Sequence, residues 1–420
     1  MIQLIKGFKD ILPEEIGYWQ KIEKTAINIF ENFGFKEIRI PLLEKSELFQ
    51  KSIGEETDIV EKEMYTFADR SGDLITLRPE ATASVVRSYI QHKMYASDSV
   101  RKFYTIGPMF RRERPQKGRY RQFYQINAEV FGVSSPLIDA QIIFMLMSIF
   151  FELSVQDATL HLNSLGCPKC RPSYKKALLD LLESKEENLC QDCKRRSQNN
   201  PLRVLDCKVD SCRNIMETAP SIIDFLCEEC INHFQSVKRA LSDLGIEFLI
   251  DKRLVRGLDY YTRTTFEIQT GALGAQSAVA GGGRYDGLVK TLGGPDEPAI
   301  GFAIGFDRLV EIIALNDENL KKGPDIFIAG LGDLAVYKAF ELSSILSKDN
   351  IKAEMDFSGK SLKSLMKRAD KLNAENVLII GDKELQEGNA IIRNMKTKEQ
   401  FSVNIENIIE NIKEYLKNLK

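Results

Sequence analysis

Between two predicted strands the sequence reads Arg111-Arg112-Glu113-Arg114-Pro115-Gln116-Lys117-Gly118-Arg119-Tyr120-Arg121, with six cations and one anion. Side chains of a strand alternate between two sides. On the strand that follows, one face carries Arg121, Phe123, Gln125, Asn127 and Glu129. The opposite face, from Gln122 to Val130, is mostly apolar and is predicted to pack on the body of the domain. The stretch therefore predicts a basic hairpin whose polar face suits either bulk water or a ligand pocket.

Composition limits the class of protein. A chain of 420 residues, 43% hydrophobic and 28% charged, is expected to form two or three globular domains. A net charge of −2 and a pI near 6.1 exclude a bulk polycation, so any nucleic-acid contact must come from local basic patches. The N-terminus does not resemble a secretory signal, and the apolar run at 142–151 is about half a membrane span. We expect a cytoplasmic protein with no membrane association.

The first part of the chain predicts an α+β construction with an antiparallel sheet. Helical spacing after Pro13 predicts a helix that stops at Gly34. Residues 37–43 predict a strand, in which Pro41 favours a sheet edge or an interface. Further elements are expected at 74–78 (strand), at 79–82 (the start of a helix) and at 137–152 (an apolar helix).

The domain organisation follows from the composition of the segments. We predict a catalytic domain over residues 1–320, interrupted by a cysteine-rich helical insertion at 167–240. A linker is predicted at 321–324, followed by an α/β domain over 325–420. That domain is expected to have a mainly parallel sheet, with strands at 325–329, 351–357 and 376–380 and helices at 333–347 and 361–372.

Two further stretches carry candidate chemistry. Residues 256–262 read Arg-Gly-Leu-Asp-Tyr-Tyr-Thr and are interpreted as a strand with hydroxyls on both faces; a tyrosine-rich strand with a surface ion pair is the alternative. Gly301 and Gly305 leave one face of a predicted strand without side chains. The strand leads into a helix that has Arg308 at its start. A flat ligand could lie there, although tight helix–strand packing would explain the same glycines. The sequence contains no G-x-x-x-x-G-K-[ST] phosphate loop.

Together these stretches resemble the class II aminoacyl-tRNA synthetases, and specifically the histidyl-tRNA synthetase family, over essentially the whole chain. The strand with Pro41 resembles motif 1, a dimer-interface element, and the hairpin at 110–129 resembles motif 2. Residues 301–308 resemble motif 3. Residues 256–262 and 282–286 resemble the two segments peculiar to the histidine enzymes. The resemblance implies a class II antiparallel catalytic core, a C-terminal anticodon-binding domain and a homodimer.

The implied activity is that of a histidine–tRNA ligase, which forms histidyl-adenylate from ATP and L-histidine and then transfers histidine to the 3′ terminal adenosine of its tRNA. Such chemistry depends on positioning and charge stabilisation. By resemblance, the catalytic residues are Arg111, at the α-phosphate, and Arg256, at the reacting carboxylate and α-phosphate. Phe123 and Arg308 sandwich adenine, and Mg²⁺ holds the outer phosphates.

Histidine recognition is also assigned by resemblance. Glu129 and Tyr261 bracket the imidazole nitrogens, with Tyr260 beside them. The other histidine-binding residues are Glu80, Thr82 and Gln125 at the amino-acid end, together with Arg111 and Arg256. A site that hydrogen-bonds a polar side chain rejects analogues lacking it by about 10⁴-fold or more. An editing domain is therefore not expected.

The loop of the basic hairpin is predicted to approach the acceptor end of the tRNA. Arg112 and Arg114 are expected to meet phosphates, which position without specifying, and Gln116 is the residue expected to contact a base. Two alternatives remain. One is a regulatory subunit of ATP phosphoribosyltransferase, which should lack the anticodon-type domain. The other is an RNA-binding sensor, which should lack the arginines for ATP.

All eight cysteines lie within residues 167–230. The pairs Cys167-x₂-Cys170 and Cys190-x₂-Cys193 are separated by 19 residues, a four-cysteine zinc spacing. Cys207, Cys212, Cys227 and Cys230 are predicted as a second set. Disulfides are not expected in a reducing compartment. We therefore predict at least one structural zinc; buried thiols without metal are the alternative.

Overall fold

The computed structural model describes residues 1–97, 100–116, 118–273, 278–316 and 323–418. The chain forms two compact units, Met1–Asp317 and Glu318–Lys420. Each has its own hydrophobic core. Among the helices of the described residues, none combines the length and the apolarity needed to cross a membrane.

An eight-stranded sheet organises the first unit. In chain order the strands of this unit are β1 (Lys36–Glu37), β2 (Leu43–Lys45), β3 (Tyr65–Ala68), β4 (Leu74–Leu77), β5 (Arg101–Phe110), β6 (Gln122–Phe131), β7 (Thr159–Ser164), β8 (Leu249–Ile250), β9 (Thr262–Gln269), β10 (Ala278–Arg284) and β11 (Ala299–Gly305). The large sheet has the order β1-β5-β6-β11-β10-β9-β7-β8, and a small one has the order β2-β4-β3. From β5 to β7 all neighbours are antiparallel, and β1 and β8 add parallel edges.

Helices cover one face of the large sheet. The helices of the unit are α1 (Pro13–Asn32), α2 (Ser46–Ile53), α3 (Thr82–Gln91), α4 (Pro136–Glu152), α5 (Arg171–Ser184), α6 (Gln191–Asn199), α7 (Asp210–Met216), α8 (Glu228–Asp243), α9 (Leu288–Thr291) and α10 (Phe306–Asn316). Helix α1 begins with Pro13, suited to the first helical position, and ends before Gly34, whose φ of 79° favours glycine. Its residues Trp19, Ile22 and Phe30 are buried against α4, α10 and the sheet. The main core therefore lies on this face, while α3 and α9 pack against part of the other face.

The predicted hairpin is confirmed, whereas the predicted strand at 37–43 is wrong. Strands β5 and β6 pair from Arg101↔Phe131 to Phe110↔Gln122. In the 37–43 segment, two short strands in different sheets flank residues 38–42. The buried Arg78 guanidinium donates to the carbonyls of Ile40 (2.8 Å) and Pro41 (3.3 Å). A side chain thus takes the place of a strand neighbour for these carbonyls.

The second unit is a five-stranded sheet with helices. Its elements are β12 (Ile326–Leu331), α11 (Asp333–Lys348), β13 (Ala353–Met355), α12 (Leu362–Lys371), β14 (Asn376–Gly381), α13 (Asp382–Gln386), β15 (Asn389–Asn394), β16 (Gln400–Asn404) and α14 (Ile408–Asn418). Strand β12 is parallel to β13 and β14, but β14–β15 and β15–β16 are antiparallel. The expectation of a mainly parallel sheet is therefore wrong, because each of the final two strands runs antiparallel to the strand before it. Residues 321 and 322 of the predicted linker lie outside the described residues.

Candidate active site

A cavity of about 410 Å³ lies on the face of the large sheet opposite the helical core. Its floor is built by β6, β11, β10 and β9. In two successive rows a polar side chain of β6 is flanked by small residues: Gln125 pairs with Gly107 and Gly305, and Asn127 pairs with Thr105 and Ala303. The Arg78 guanidinium fills the space above Gly107, whereas Gly305 leaves room beside Gln125, since a Cβ added there would have no neighbour nearer than 3.4 Å. The polar face predicted from strand alternation is thus a ligand cavity and not a solvated edge.

Glu129 forms the third polar position of β6 and is only 1% exposed. Its carboxylate accepts hydrogen bonds from Thr82 Oγ1 (2.7 Å) and from the Tyr285 hydroxyl (2.5 Å). Burial raises the pKa of Glu129 to about 8. A Cβ atom at Gly301 would lie 1.7 Å from Glu129 Oε2. The bare strand face at Gly301 therefore accommodates this carboxylate rather than a flat ligand.

Glu80 sits at the start of α3 beside the cavity. Its two carboxylate oxygens accept the backbone N–H groups of Thr82 (2.7 Å) and Ala83 (2.9 Å). These amides belong to the first turn of a helix, where they have no carbonyl partner. Burial raises the pKa of Glu80. Glu80 and Thr82, both predicted to bind histidine, line the cavity.

Arg256 reaches the cavity next to an acidic partner that the sequence analysis missed. Its Nη1 donates to Glu267 Oε2 at 2.6 Å. The guanidinium occupies the space above Gly281, where an added Cβ would be 2.4 Å from Nη1. Glu267 lies opposite Gly281 in the β9–β10 register, a pairing that no local pattern predicts. The ion pair and the glycine together hold the guanidinium over the sheet.

Tyr260 and Tyr261 both line the cavity, with ring centroids 4.7 Å apart. The prediction that they lie on opposite faces of a strand is wrong, because β9 begins only at Thr262. Before it, Asp259 N donates to the Ile53 carbonyl, and the Tyr261 carbonyl accepts from Arg171 Nη2. These contacts hold the segment away from the sheet ladder, so both rings turn inward. Burial raises the pKa of both tyrosines.

Three predicted ATP residues come together at the other end of the cavity. The Arg111 guanidinium carbon is 5.2 Å from the centre of the Phe123 ring. Arg111 Nε donates to the Pro79 carbonyl at 2.9 Å. Arg308 donates to the carbonyls of Ala278 and Gly118, and burial lowers its pKa. The cavity lining therefore combines an aromatic ring beside the Arg111 guanidinium with the guanidinium of Arg308, groups suited to a base and an anion.

Three buried polar atoms of the cavity lining have no hydrogen-bond partner in the protein. They are Gln125 Oε1, Asn127 Oδ1 and Arg256 Nε. Buried polar groups are nearly always hydrogen-bonded, so these atoms mark where a polar ligand completes the site. Asn127 was predicted on the polar face but not as a site residue, although its place between Gln125 and Glu129 is the signal that could have identified it.

The loop of the basic hairpin presents its predicted tRNA residues outward. Arg112, Arg114 and Gln116 are exposed, whereas Arg111 and Arg119 line the cavity. Backbone hydrogen bonds between Gln116 and Arg119 close the loop tip; Lys117 lies outside the described residues. The loop thus divides its cations between the cavity and the surface.

The eight cysteines form two groups of four, but not the predicted groups. The proximal cluster contains Cys167, Cys170, Cys227 and Cys230, and the distal cluster contains Cys190, Cys193, Cys207 and Cys212; within each, all Sγ atoms lie within 4.8 Å of one another. All eight are free thiols. The predicted grouping by order along the chain is wrong, because α8 returns to the start of the insertion and brings the last pair to the first.

The thiol geometry fits a tetrahedral metal site. Zinc–sulfur bonds of about 2.3 Å in a tetrahedron place the sulfurs about 3.8 Å apart. The distances are 3.6 Å for Cys167–Cys170, 3.9 Å for Cys167–Cys227 and 3.9 Å for Cys190–Cys207. Four thiolates leave no open coordination position, so such a site is structural.

Comparisons with known proteins agree with the geometry. Residues 7–309 match the family model for histidyl-tRNA synthetase, and residues 325–415 match that for the anticodon binding domain. The histidine–tRNA ligase of Desulforapulum autotrophicum is 61% identical over 419 residues, which are 100% of this chain and 99% of the relative. That of Geobacter sulfurreducens is 56% identical over 403 residues, with 96% and 97% covered.

Among solved structures, apo histidyl-tRNA synthetase of S. aureus is similar to this chain with a TM-score of 0.82 and 37% sequence identity. The alignment covers 98% of this chain and 100% of that one. The predicted class II α+β catalytic fold with a C-terminal anticodon-binding domain is therefore confirmed. The chain belongs to the histidyl-tRNA synthetase family.

Proposed function

We propose that the cavity carries out both steps of histidine–tRNA ligation. ATP and histidine first form histidyl-adenylate and pyrophosphate, and histidine is then transferred to the terminal adenosine of its tRNA. As a member of its family the chain is an aminoacyl-tRNA-forming ligase. The observation that carries the proposal for this cavity is the group of unpartnered buried polar atoms of Gln125, Asn127 and Arg256.

Activation needs the histidine carboxylate to attack the α-phosphate of ATP while negative charge builds up between them. In our proposal Arg256 and Arg111 stabilise that charge from two sides of the cavity. Glu267 holds Arg256 in place before the substrates bind, so that little reorganisation is needed during the reaction. Phe123 and Arg308 take the adenine. No protein nucleophile is required, because the carboxylate of the substrate is the attacking group.

Histidine would lie over the row formed by Gln125, Asn127 and Glu129. Thr82, Tyr260 and Tyr261 close this end of the cavity, and Glu80 supplies an acceptor near the first turn of α3. Glu129 is not among the residues that line the cavity, but its carboxylate accepts from Thr82, which is one of them, and from Tyr285. We propose that an imidazole N–H joins or replaces one of these donors, which would make the side chain of histidine the preferred one.

Magnesium, tRNA and a second subunit complete the proposal. The carboxylates of Glu63, Glu113 and Glu267 line the cavity and are oxygen donors of the kind magnesium accepts; the ion would neutralise the phosphates of ATP. Arg112 and Arg114 would contact tRNA phosphates, and Gln116 a base. The second unit would bind the anticodon. We further propose a homodimer that acts in the cytoplasm, where reducing conditions keep thiols free.

ATP–pyrophosphate exchange with each amino acid in turn tests the proposal. We expect exchange with histidine alone, at least about 10⁴-fold above exchange with amino acids that lack a hydrogen-bonding side chain. The measurement is incorporation of labelled pyrophosphate into ATP. Aminoacylation of total tRNA then checks the second step. Binding of ATP or tRNA without exchange for any amino acid would contradict the proposal and favour a regulatory or sensing role.

We also propose that each cysteine cluster holds one structural zinc. Protein purified under reducing conditions is expected to contain about two zinc ions per chain by elemental analysis. Cys170→Ser should lose about one ion from the proximal cluster, and Cys193→Ser about one from the distal cluster. Arg213→Ala, an exposed change in the same insertion, serves as the control and should keep both ions. Zinc-free wild-type protein, after reconstitution with ZnCl₂, would contradict the proposal.

A further inference from the structure

The insertion contacts the segment that carries Arg256. Asp259 lies three residues after Arg256 and two before Tyr261. Its Oδ1 accepts from Arg203 Nη2 (3.0 Å) and from Asn200 Nδ2 (3.0 Å), both in the insertion. The segment with the catalytic arginine therefore has an anchor outside the sheet.

The same residue is also fixed to the catalytic core. Asp259 N donates to the Ile53 carbonyl at 3.1 Å. A Cβ atom at Gly54 would lie 2.6 Å from Asp259 Oδ2, and Gly54 has a φ of +103°, a conformation that side chains disfavour. The close approach of this carboxylate to the backbone thus depends on a glycine. Asp259 joins three parts of the structure: the insertion, the end of α2 and the segment of Arg256.

This segment has open space on both sides, which is why an anchor matters. A second cavity of about 300 Å³ lies on its far side, lined by Arg171, Lys175 and Arg203 among others. Arg203, Arg256 and Tyr261 line both cavities. The segment therefore separates the two cavities. Packing against the sheet alone does not fix its position.

The distal cluster closes the loop that supplies the two donors. Helix α6 begins directly after Cys190 and contains Cys193. A 3₁₀ helix, Pro201–Asp206, carries Arg203 and ends directly before Cys207. The loop also places Arg195 on Glu61 and Arg196 on Asp58, at 3.0 and 2.8 Å. The Arg195, Arg196 and Arg203 pairs thus fasten one short loop onto two segments of the catalytic core.

A metal bound by the distal cluster would hold the loop in the conformation in which Arg195, Arg196 and Arg203 make their ion pairs. The loop spans residues 190–207 and contains Asn200, whose own Oδ1 is buried without a partner. Without a crosslink, ordering the loop costs conformational entropy that a few partly exposed ion pairs repay poorly. A four-thiolate metal removes much of that cost by joining the ends.

We propose that Arg203 is a positioning residue for Arg256, acting through Asp259, and that zinc in the distal cluster holds Arg203 in place. The zinc takes no part in the reaction and affects it only through the position of the loop. The inference rests on the proposed function, because its measure is the rate of histidine activation.

Arg203→Ala tests the positioning role. Misplacement of a catalytic group by about 1 Å can cost on the order of 100-fold in rate, so we expect kcat for histidine-dependent exchange to fall by about 10-fold or more. The KM values for ATP and histidine should change by less than about 3-fold, since a positioning residue binds neither. Asp259→Asn should behave alike, and the double variant should be no worse than the more damaging single variant. Arg213→Ala, 62% exposed and paired with Asp210 of its own helix, should match the wild type.

Cys193→Ser tests the role of the metal in the folded protein, with circular dichroism as the check of folding. We expect loss of about one zinc and a fall in kcat similar to that of Arg203→Ala, without further loss when the two changes are combined. Zinc loss with full kcat would overturn the role of the metal. Full kcat in Arg203→Ala beside an active wild type would overturn the positioning role alone. A wild type without histidine-dependent exchange would overturn the proposed function, and this inference with it.

Discussion

Arg256→Ala is expected to lower kcat for histidine-dependent ATP–pyrophosphate exchange by about 10³-fold, the loss typical of removing one preorganised donor to developing charge. The cause is specific to this position. The guanidinium is held by Glu267 at 2.6 Å, lies above Gly281 and has a buried Nε without a protein partner. Steady-state exchange with varied ATP and histidine measures the effect, and KM should change far less than kcat.

Two companion variants separate charge from geometry. Arg256→Lys keeps the charge but loses the planar fork, so it should recover only a small part of the rate. Arg239→Ala removes an exposed arginine paired with Asp243 on α8 and should exchange like the wild type. If Arg256→Ala kept more than about a tenth of the wild-type kcat, the assignment of this arginine to the reacting groups would be wrong.

Glu129→Gln is expected to raise the KM for histidine by about 10-fold or more, because leaving a buried hydrogen-bonding group without its partner costs about 1–3 kcal/mol. The change keeps the volume of the side chain but replaces one of the two oxygens that accept from Thr82 and Tyr285 with an amide donor. Gly301→Ala should act in the same direction, since its Cβ would displace the carboxylate. The KM for ATP in the same variants is the internal control, and parallel loss of ATP binding would contradict the assignment.

The same substitution has a second readout in the pH dependence of stability. Burial raises the pKa of Glu129 from 4.5 to about 8, so the folded protein binds this proton more tightly than the unfolded chain. The carboxyl group is then protonated in the folded state and ionised in the unfolded state between these values. The free energy of unfolding should therefore fall as pH rises from about 4.5 to 8, by up to about 1.4 kcal/mol per pH unit. Urea denaturation at pH 6 and pH 8 should show this slope in the wild type and a smaller one in Glu129→Gln.

Features that depend on neighbouring residues are predicted correctly by the sequence. The alternation that predicts Gln125 and Glu129 on one face of β6 agrees with the structure, in which Gln125 lines the cavity and Glu129 accepts a hydrogen bond from Thr82 of the cavity lining. Helix α1 runs from Pro13 to just before Gly34, because a fixed φ at the start and a positive φ at the end are local properties. The strand-to-helix transition at Gly305 and Phe306 likewise follows its glycine and apolar pattern.

Features that depend on contacts between distant segments of the chain are not predicted correctly. Pro41 was placed in one strand, but the buried Arg78 takes its carbonyl. Tyr260 and Tyr261 were placed on opposite faces, but contacts with Ile53 and Arg171 turn both inward. The conformation of a segment with few local hydrogen bonds depends on the residues that it packs against. The local sequence does not show which residues these are.

By itself the sequence determined the hairpin, its polar face, the candidate arginines and a cysteine-rich insertion, because each is a residue type at a spacing of a few positions. The tertiary structure alone decided that Glu267 holds Arg256, that Arg203 contacts Asp259, and that the last cysteine pair joins the first. These pairings join residues 11, 56 and 60 positions apart. At such separations a contact forms only when the sheet and the helices bring distant segments together. The local periodicity of the sequence does not predict which segments meet.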